Sequence, residues 1–164
     1  MIPLAIPDLS GNEARYLQEC VESNFVSSVG PFVDRFEDMV GDAVGAAAAV
    51  AVSSGTTGLH AALNAVGVGP GDLVILPAYT FIASANAISH CGAKPWLFDI
   101  DPDSWTLDVN LLKESLEAET ELQDGRLIHR ASRQRVAAIM PVHVLGMPSE
   151  IDAIAAIADA NDRN

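Results

Sequence analysis

From Ala46 onward, short apolar runs alternate with longer runs of helical period, and this alternation restricts the fold more than any other feature of the sequence. Strands separated by helix-length segments pair as parallel neighbours, because a parallel pair needs a crossover connection of a dozen or more residues. The apolar runs predict strands over 48–52, 73–76, 95–99 and 136–142. Helices are predicted over Gly55–Val66, Ile82–Cys91, Asn110–Ala118 and Ser149–Asn161, the last with Ser149 as N-cap and Asp152 at N3. The polar stretch Glu119–Arg135, which holds Arg126, Arg130, Arg133 and Arg135, has neither period and reads as an inserted loop or hairpin. The expected class is α/β, mainly a parallel sheet with helical crossovers. A helix that runs to Asn161 should lead into another parallel strand, so the α/β domain over 46–164 reads as incomplete at its C-terminal end.

The first 45 residues have a different texture. Tyr16, Leu17, Cys20 and Val21 fall at helical spacing within 11–23, behind an N-cap candidate in Ser10-Gly11-Asn12. Asn24 to Pro31 reads as a loop. A second helix starts at Pro31, carries Phe32, Val33, Phe36, Met39 and Val40 on one face, and is ended by Gly45. Residues 1–45 are therefore expected to form an N-terminal helical segment.

Composition excludes several classes. Hydrophobic residues make up 49% of the 164, yet no apolar run approaches the ~20 residues that span a bilayer, so no membrane partner is expected. The start of the chain has no basic region ahead of an apolar stretch, which makes the cytoplasm the expected compartment. A net charge of −13 opposes binding to nucleic acid, where Lys and Arg must replace condensed counterions. Cys20 and Cys91 stand alone without CxxC spacing and are expected to be buried free thiols. His60, His90 and His129 lack Cys or carboxylate partners at ligand spacing, and Asp99, Asp101 and Asp103 lack the Gly and Glu of a calcium loop, so no metal site is expected. A GxSxG elbow is also missing.

Three segments at predicted strand ends could carry chemistry. Ser53-Ser54-Gly55-Thr56-Thr57-Gly58 lies between a strand and a helix, where backbone N–H groups, hydroxyls and the helix dipole suit an anion such as a phosphate. It is neither a dinucleotide fingerprint nor a P-loop, and by itself it could equally be an ordinary capped helix start. Pro77-Ala78-Tyr79-Thr80-Phe81 follows the next strand at the carboxyl edge of the sheet, where open α/β sheets bind ligands. Its aromatics either stack on a flat heterocycle or pack against the core and rim. His143 closes the last predicted strand and either faces a ligand or is held by structural hydrogen bonds.

Taken in order, Ser53-Ser54-Gly55-Thr56-Thr57-Gly58-Leu59-His60-Ala61-Ala62-Leu63, Pro77-Ala78-Tyr79-Thr80-Phe81-Ile82-Ala83-Ser84-Ala85-Asn86-Ala87 and Pro141-Val142-His143-Val144-Leu145-Gly146 resemble successive motifs of the DegT/DnrJ/EryC1/StrS family of sugar aminotransferases. Leu9-Ser10-Gly11-Asn12-Glu13 and the segment from Val26 to Glu37 resemble its opening. With the insertion at 119–135, they are most similar to the branch that aminates nucleotide-linked 4-keto-6-deoxy-N-acetylamino sugars, as in legionaminic acid type routes.

The resemblance implies the N-terminal part of the large domain of a fold-type I transferase that uses pyridoxal 5'-phosphate (PLP). It further implies a homodimer with its active site at the subunit interface. By position, Thr56 and Thr57 would bind the PLP phosphate, Gly55 would allow its close approach, Phe81 would stack on the pyridine ring, and His143 would lie near the cofactor. The substrates implied are a nucleotide-linked keto-sugar and an amino donor, with glutamate as that donor. The family's Schiff-base lysine and pyridinium-partner Asp lie downstream of this region. The only lysines here are Lys94, beginning a predicted strand at the opposite edge, and Lys113, on an amphipathic helix. The chain is thus expected to hold no catalytic residue of its own and to be inactive alone. The alternatives left open are a non-catalytic PLP-binding or subunit-pairing half and a PLP-dependent sugar dehydratase of the same family.

Overall fold

The computed structural model describes residues 5–161, and the chain divides into two compact units between Ala51 and Val52. In the first unit, α1 (Glu13–Ser23) ends at Asn24, whose φ of 62° gives a left-handed cap. Helix α2 (Pro31–Val44) begins with proline at its first position, where no N–H is needed, and ends at Gly45 with φ 67°. Tyr16 and Phe32 join the two helices, with ring centroids 5.2 Å apart. Cys20 is only half-buried, against the expectation of a buried thiol, because no residue of α1 is fully covered within this unit.

The predicted strand over 48–52 does not form. The run is extended but has no ladder partner among the described residues, and Val50 is 81% exposed. β-branched residues favour an extended backbone, but only a neighbouring strand can satisfy its polar groups. The Ala51 N–H instead donates to Glu37 Oε1 at 2.7 Å.

The second unit is built on a three-stranded parallel sheet in the spatial order Lys94–Phe98, Leu73–Pro77, Val136–Ile139. Its elements are α3 (Gly55–Ala65), β1 (Leu73–Pro77), α4 (Ile82–His90), β2 (Lys94–Phe98), α5 (Val109–Glu119), β3 (Thr120–Gln123), β4 (Arg126–His129), β5 (Val136–Ile139) and α6 (Ile151–Asn161). β1 is central and buried at every position, as a parallel strand covered on both faces must be. Its side chains alternate. Val74 and Leu76 enter a cluster with Leu63 of α3 and Ala87 and Ile88 of α4. Ile75 enters another with Leu112 and Leu116 of α5 and Ile154 of α6. Each fully buried aliphatic side chain contributes about 1.5–3 kcal/mol of transfer free energy, so both layers stabilise the same strand.

β5 is shorter than the predicted 136–142. The Met140 N–H still donates to Ile75 O at 2.8 Å, but Pro141 has no N–H and the ladder stops there. The insertion resolves as the antiparallel hairpin β3–β4. Asp124 and Gly125 both have positive φ, 51° and 74°, the two-residue turn whose twist matches a hairpin. Helix α6 starts at Ile151, and Ser149 is not its N-cap. Ile154 N–H bonds to Glu150 O at 3.0 Å, whereas the Ser149 hydroxyl donates to Val142 O at 2.9 Å.

Candidate functional site

Helices α3 and α4 place their first turns at the carboxyl edge of the sheet. From its last residues, α3 leads through a short loop into the amino end of β1, so it runs antiparallel to that strand. Eleven helical and five strand residues each cover about 16 Å, which brings Gly55 back to the level of Pro77. Helix α4 leaves β1 directly at that level.

The start of α3 is organised by a capping box. Ser54 Oγ accepts the Thr57 N–H at 3.3 Å, and the Ser54 N–H donates to Thr57 Oγ1 at 3.1 Å. Thr57 Oγ1 also donates to Ser54 O at 2.8 Å, and the Gly58 N–H bonds to the same carbonyl at 3.0 Å. The first N–H groups of a helix have no intrahelical acceptor, and those of Gly55 and Thr56 find none among the described residues. A Cβ at Gly55 would meet no atom within 4 Å. The first turn of α3 thus has two unpaired donors at the positive end of a helix and open space beside the Gly55 Cα. Thr56 is half-buried with its hydroxyl uncommitted, whereas the Thr57 hydroxyl proton is engaged by the cap. These donors suit a phosphate without any net positive charge.

Across the edge, Phe81 is the N-cap of α4 and is 79% exposed. Tyr79 makes an edge-to-face contact with Trp105, with centroids 5.6 Å apart. Trp105 sits at φ 61° in the loop after β2, a conformation rare for a bulky residue. The Ala78 N–H bonds to Phe98 O at 2.7 Å, tying the ends of β1 and β2 together. His143 lies past the end of β5 at this same edge, exposed, with Nδ1 accepting the Ser149 N–H at 2.9 Å. All five predicted site residues, Gly55, Thr56, Thr57, Phe81 and His143, thus fall at one edge.

Both lysines are exposed and lie elsewhere. Lys94 is the first residue of β2, in register with Leu73 at the amino end of β1, and Lys113 is on α5. Sequence reasoning missed the reciprocal cap, although Ser54 and Thr57 stand at its three-residue spacing, and it missed Trp105, which the turn signal Asp101-Pro102-Asp103-Ser104 precedes.

A parallel α/β unit with helix starts and exposed aromatics at its carboxyl edge is a ligand-binding architecture. The chain belongs to the DegT/DnrJ/EryC1/StrS aminotransferase family, whose model matches residues 7–162. It is 41% identical over 157 residues to GDP-perosamine synthase of Caulobacter vibrioides, a match that covers 96% of this chain and 38% of that protein. A DegT/DnrJ/EryC1/StrS aminotransferase from Brucella abortus has the same fold, with a TM-score of 0.76 and 30% identity over 97% of this chain and 42% of that one. NtdA from Bacillus subtilis, solved with bound PMP, gives a TM-score of 0.73 and 26% identity over 98% and 35%. Enzymes of this family are PLP-dependent. The chain spans about two fifths of the length of the relatives it matches.

Proposed function

We propose that this chain forms the phosphate and ring side of a PLP site in a cytoplasmic, homodimeric transferase that moves an amino group, with glutamate as donor, onto a nucleotide-linked keto-sugar. The observation that carries the reading is the placement, at one sheet edge, of the free Gly55 and Thr56 N–H groups beside open space and of the exposed Phe81 ring. Gly55 and Thr56 hold the phosphate through their backbone, Thr56 adds a hydroxyl, and Phe81 covers one face of the pyridine ring. Thr57 contributes by fixing the turn, and its hydroxyl reaches the phosphate only by leaving the Ser54 carbonyl. When bound, PLP would supply an aldehyde carbon that takes up the amino group from the donor and gives it to the acceptor, and a ring that draws off the negative charge developing beside it.

Neither lysine serves as the amine that holds the cofactor. Lys94 stands a strand length, about 16 Å, from the carboxyl edge, and Lys113 is on a helix outside it. In this reading the amine comes from outside these 164 residues, and the chain alone does not turn over. The same placement favours a second reading, a PLP-binding half that pairs with a subunit supplying the amine.

The chain is incubated with PLP, reduced with borohydride and mapped by mass spectrometry. Reversible binding with no label on Lys94 or Lys113 is expected, and a label on either defeats the claim of inactivity. For the reaction, the protein that contains this chain together with such a lysine is offered glutamate with UDP- and GDP-linked 4-keto-6-deoxy sugars. A UDP-linked N-acetylamino substrate is expected from the opening and insertion motifs, while the Caulobacter relative's name points to a GDP-linked one. Failure to aminate any keto-sugar overturns the proposal.

A further inference from the structure

The loop after β5 is closed by two bonds from one residue. Ser149, 6% exposed, gives its hydroxyl proton to Val142 O at 2.9 Å and its backbone N–H to His143 Nδ1 at 2.9 Å. Between these ends the Met147 N–H returns to Val144 O at 2.8 Å, Val144 is buried, and Leu145 and Gly146 both take positive φ, 51° and 83°. The loop is held from both ends, and with it the imidazole.

A backbone N–H can only donate, so the nitrogen facing it must carry the lone pair. In a neutral imidazole the other nitrogen then carries the proton. The Ser149 N–H therefore sets His143 as the Nε2–H tautomer. No carboxylate among the described residues pairs with His143, so nothing draws that proton inward.

We propose that His143 is a fixed hydrogen-bond donor, presenting Nε2–H at the carboxyl edge to an anionic oxygen of the bound cofactor. Ser149 is the positioning residue that sets its tautomer. The proposal rests on the PLP reading above. It gives His143 a direction: Nδ1 accepts from the Ser149 N–H, and Nε2 donates.

The two ring nitrogens can be tested separately. In His143→Asn the amide oxygen replaces Nδ1 as acceptor while the distal donor is lost. In His143→Gln the amide nitrogen reaches the Nε2 position while the acceptor is lost. Long-range nitrogen–proton spectra of the full 15N-labelled chain, without added cofactor, should show Nδ1 unprotonated and Nε2 protonated. The opposite tautomer overturns the proposal. In PLP titrations, His143→Asn should keep the Ser149 amide protected from exchange yet bind roughly tenfold more weakly, the loss expected for a hydrogen bond to a charged group. His143→Gln should retain most of the affinity while the Ser149 amide exchanges faster. Unchanged affinity in His143→Asn overturns the donor role and leaves the PLP reading standing. If the unaltered chain binds no PLP, that reading falls and takes the donor role with it.

Discussion

At the amino edge of the sheet, Arg135 reaches across from the start of β5 and grips Asp72 with two nitrogens, at 3.0 and 2.6 Å, while its second terminal nitrogen also donates to Gly67 O. Gln134 donates to Gly71 O, and the Lys94 N–H to Asp72 O, so polar groups there are spent on one another. At the carboxyl edge of the same strands, two helix N–H groups are free, Phe81 is exposed, and Trp105 sits in a left-handed conformation against Tyr79. The first edge satisfies its groups internally and the second leaves them available. If the carboxyl edge binds the cofactor as proposed, stability and binding fall at opposite ends of one scaffold, and the two edges should respond differently to substitution.

The largest effect is expected from Arg135→Ala. It leaves the mostly covered Asp72 carboxylate without its bidentate partner, and removal of one member of such a pair costs more than the pair contributes. A loss on the order of 2 kcal/mol in urea unfolding is expected, with PLP affinity unchanged. Acid should expose the same contact. Partial burial alone would raise the Asp72 pKa, but the Arg135 guanidinium and the Gly69 N–H outweigh it and hold the carboxyl below its usual range. A group with a lowered folded pKa contributes stability above its unfolded value, near 4, and loses it as pH falls through the folded value. Asp72→Asn should therefore be less stable than the wild type at pH 7 and show a flatter loss of stability below about pH 4. Equal slopes in the two proteins would show that Asp72 does not report on this edge.

How far each edge could be read from the sequence follows from how local its signals are. The Ser53–Gly58 turn, the Pro77–Phe81 segment and His143 each lie within a few residues of a strand end, so an α/β pattern places them together. The Asp124-Gly125 turn is local too, and it decides between loop and hairpin. The Asp72–Arg135 pair joins residues 63 apart in sequence, and no spacing rule announces it. The run over 48–52 shows the converse failure: its composition favours a strand, but a ladder depends on a neighbour that composition cannot supply. Ser149 reads as a helix cap in the sequence because a hydroxyl near a helix start can serve either the helix or another backbone group, and in the structure it serves Val142.

Smaller effects belong to the carboxyl edge. Ser54→Ala removes one half of the capping box and should cost about 1 kcal/mol, half the effect at Arg135. Unlike Arg135→Ala, it should also weaken PLP binding, because the turn that aims the Gly55 and Thr56 N–H groups is loosened. A stability loss with affinity intact would mean that the anion site does not depend on the cap.

The sharpest comparison uses two glycines. Gly55 at the carboxyl edge and Gly69 at the amino edge both lack a left-handed φ, and at neither would an added Cβ meet an atom within 4 Å. Alanine at either position restricts the unfolded chain more than it disturbs the folded one, so each substitution should raise stability by about 0.5 kcal/mol. The methyl group differs in what it faces. At Gly69 the N–H is already bonded to Asp72 at 2.9 Å, and alanine keeps that bond. At Gly55 the methyl enters the space beside two free donors, where the phosphate would sit. Gly55→Ala should therefore weaken PLP binding roughly tenfold, the scale of a lost charge-assisted hydrogen bond, while Gly69→Ala leaves it unchanged. Matched thermal melts and PLP titrations of the two variants decide the matter. If their affinities match, the open space at Gly55 is not where the phosphate binds.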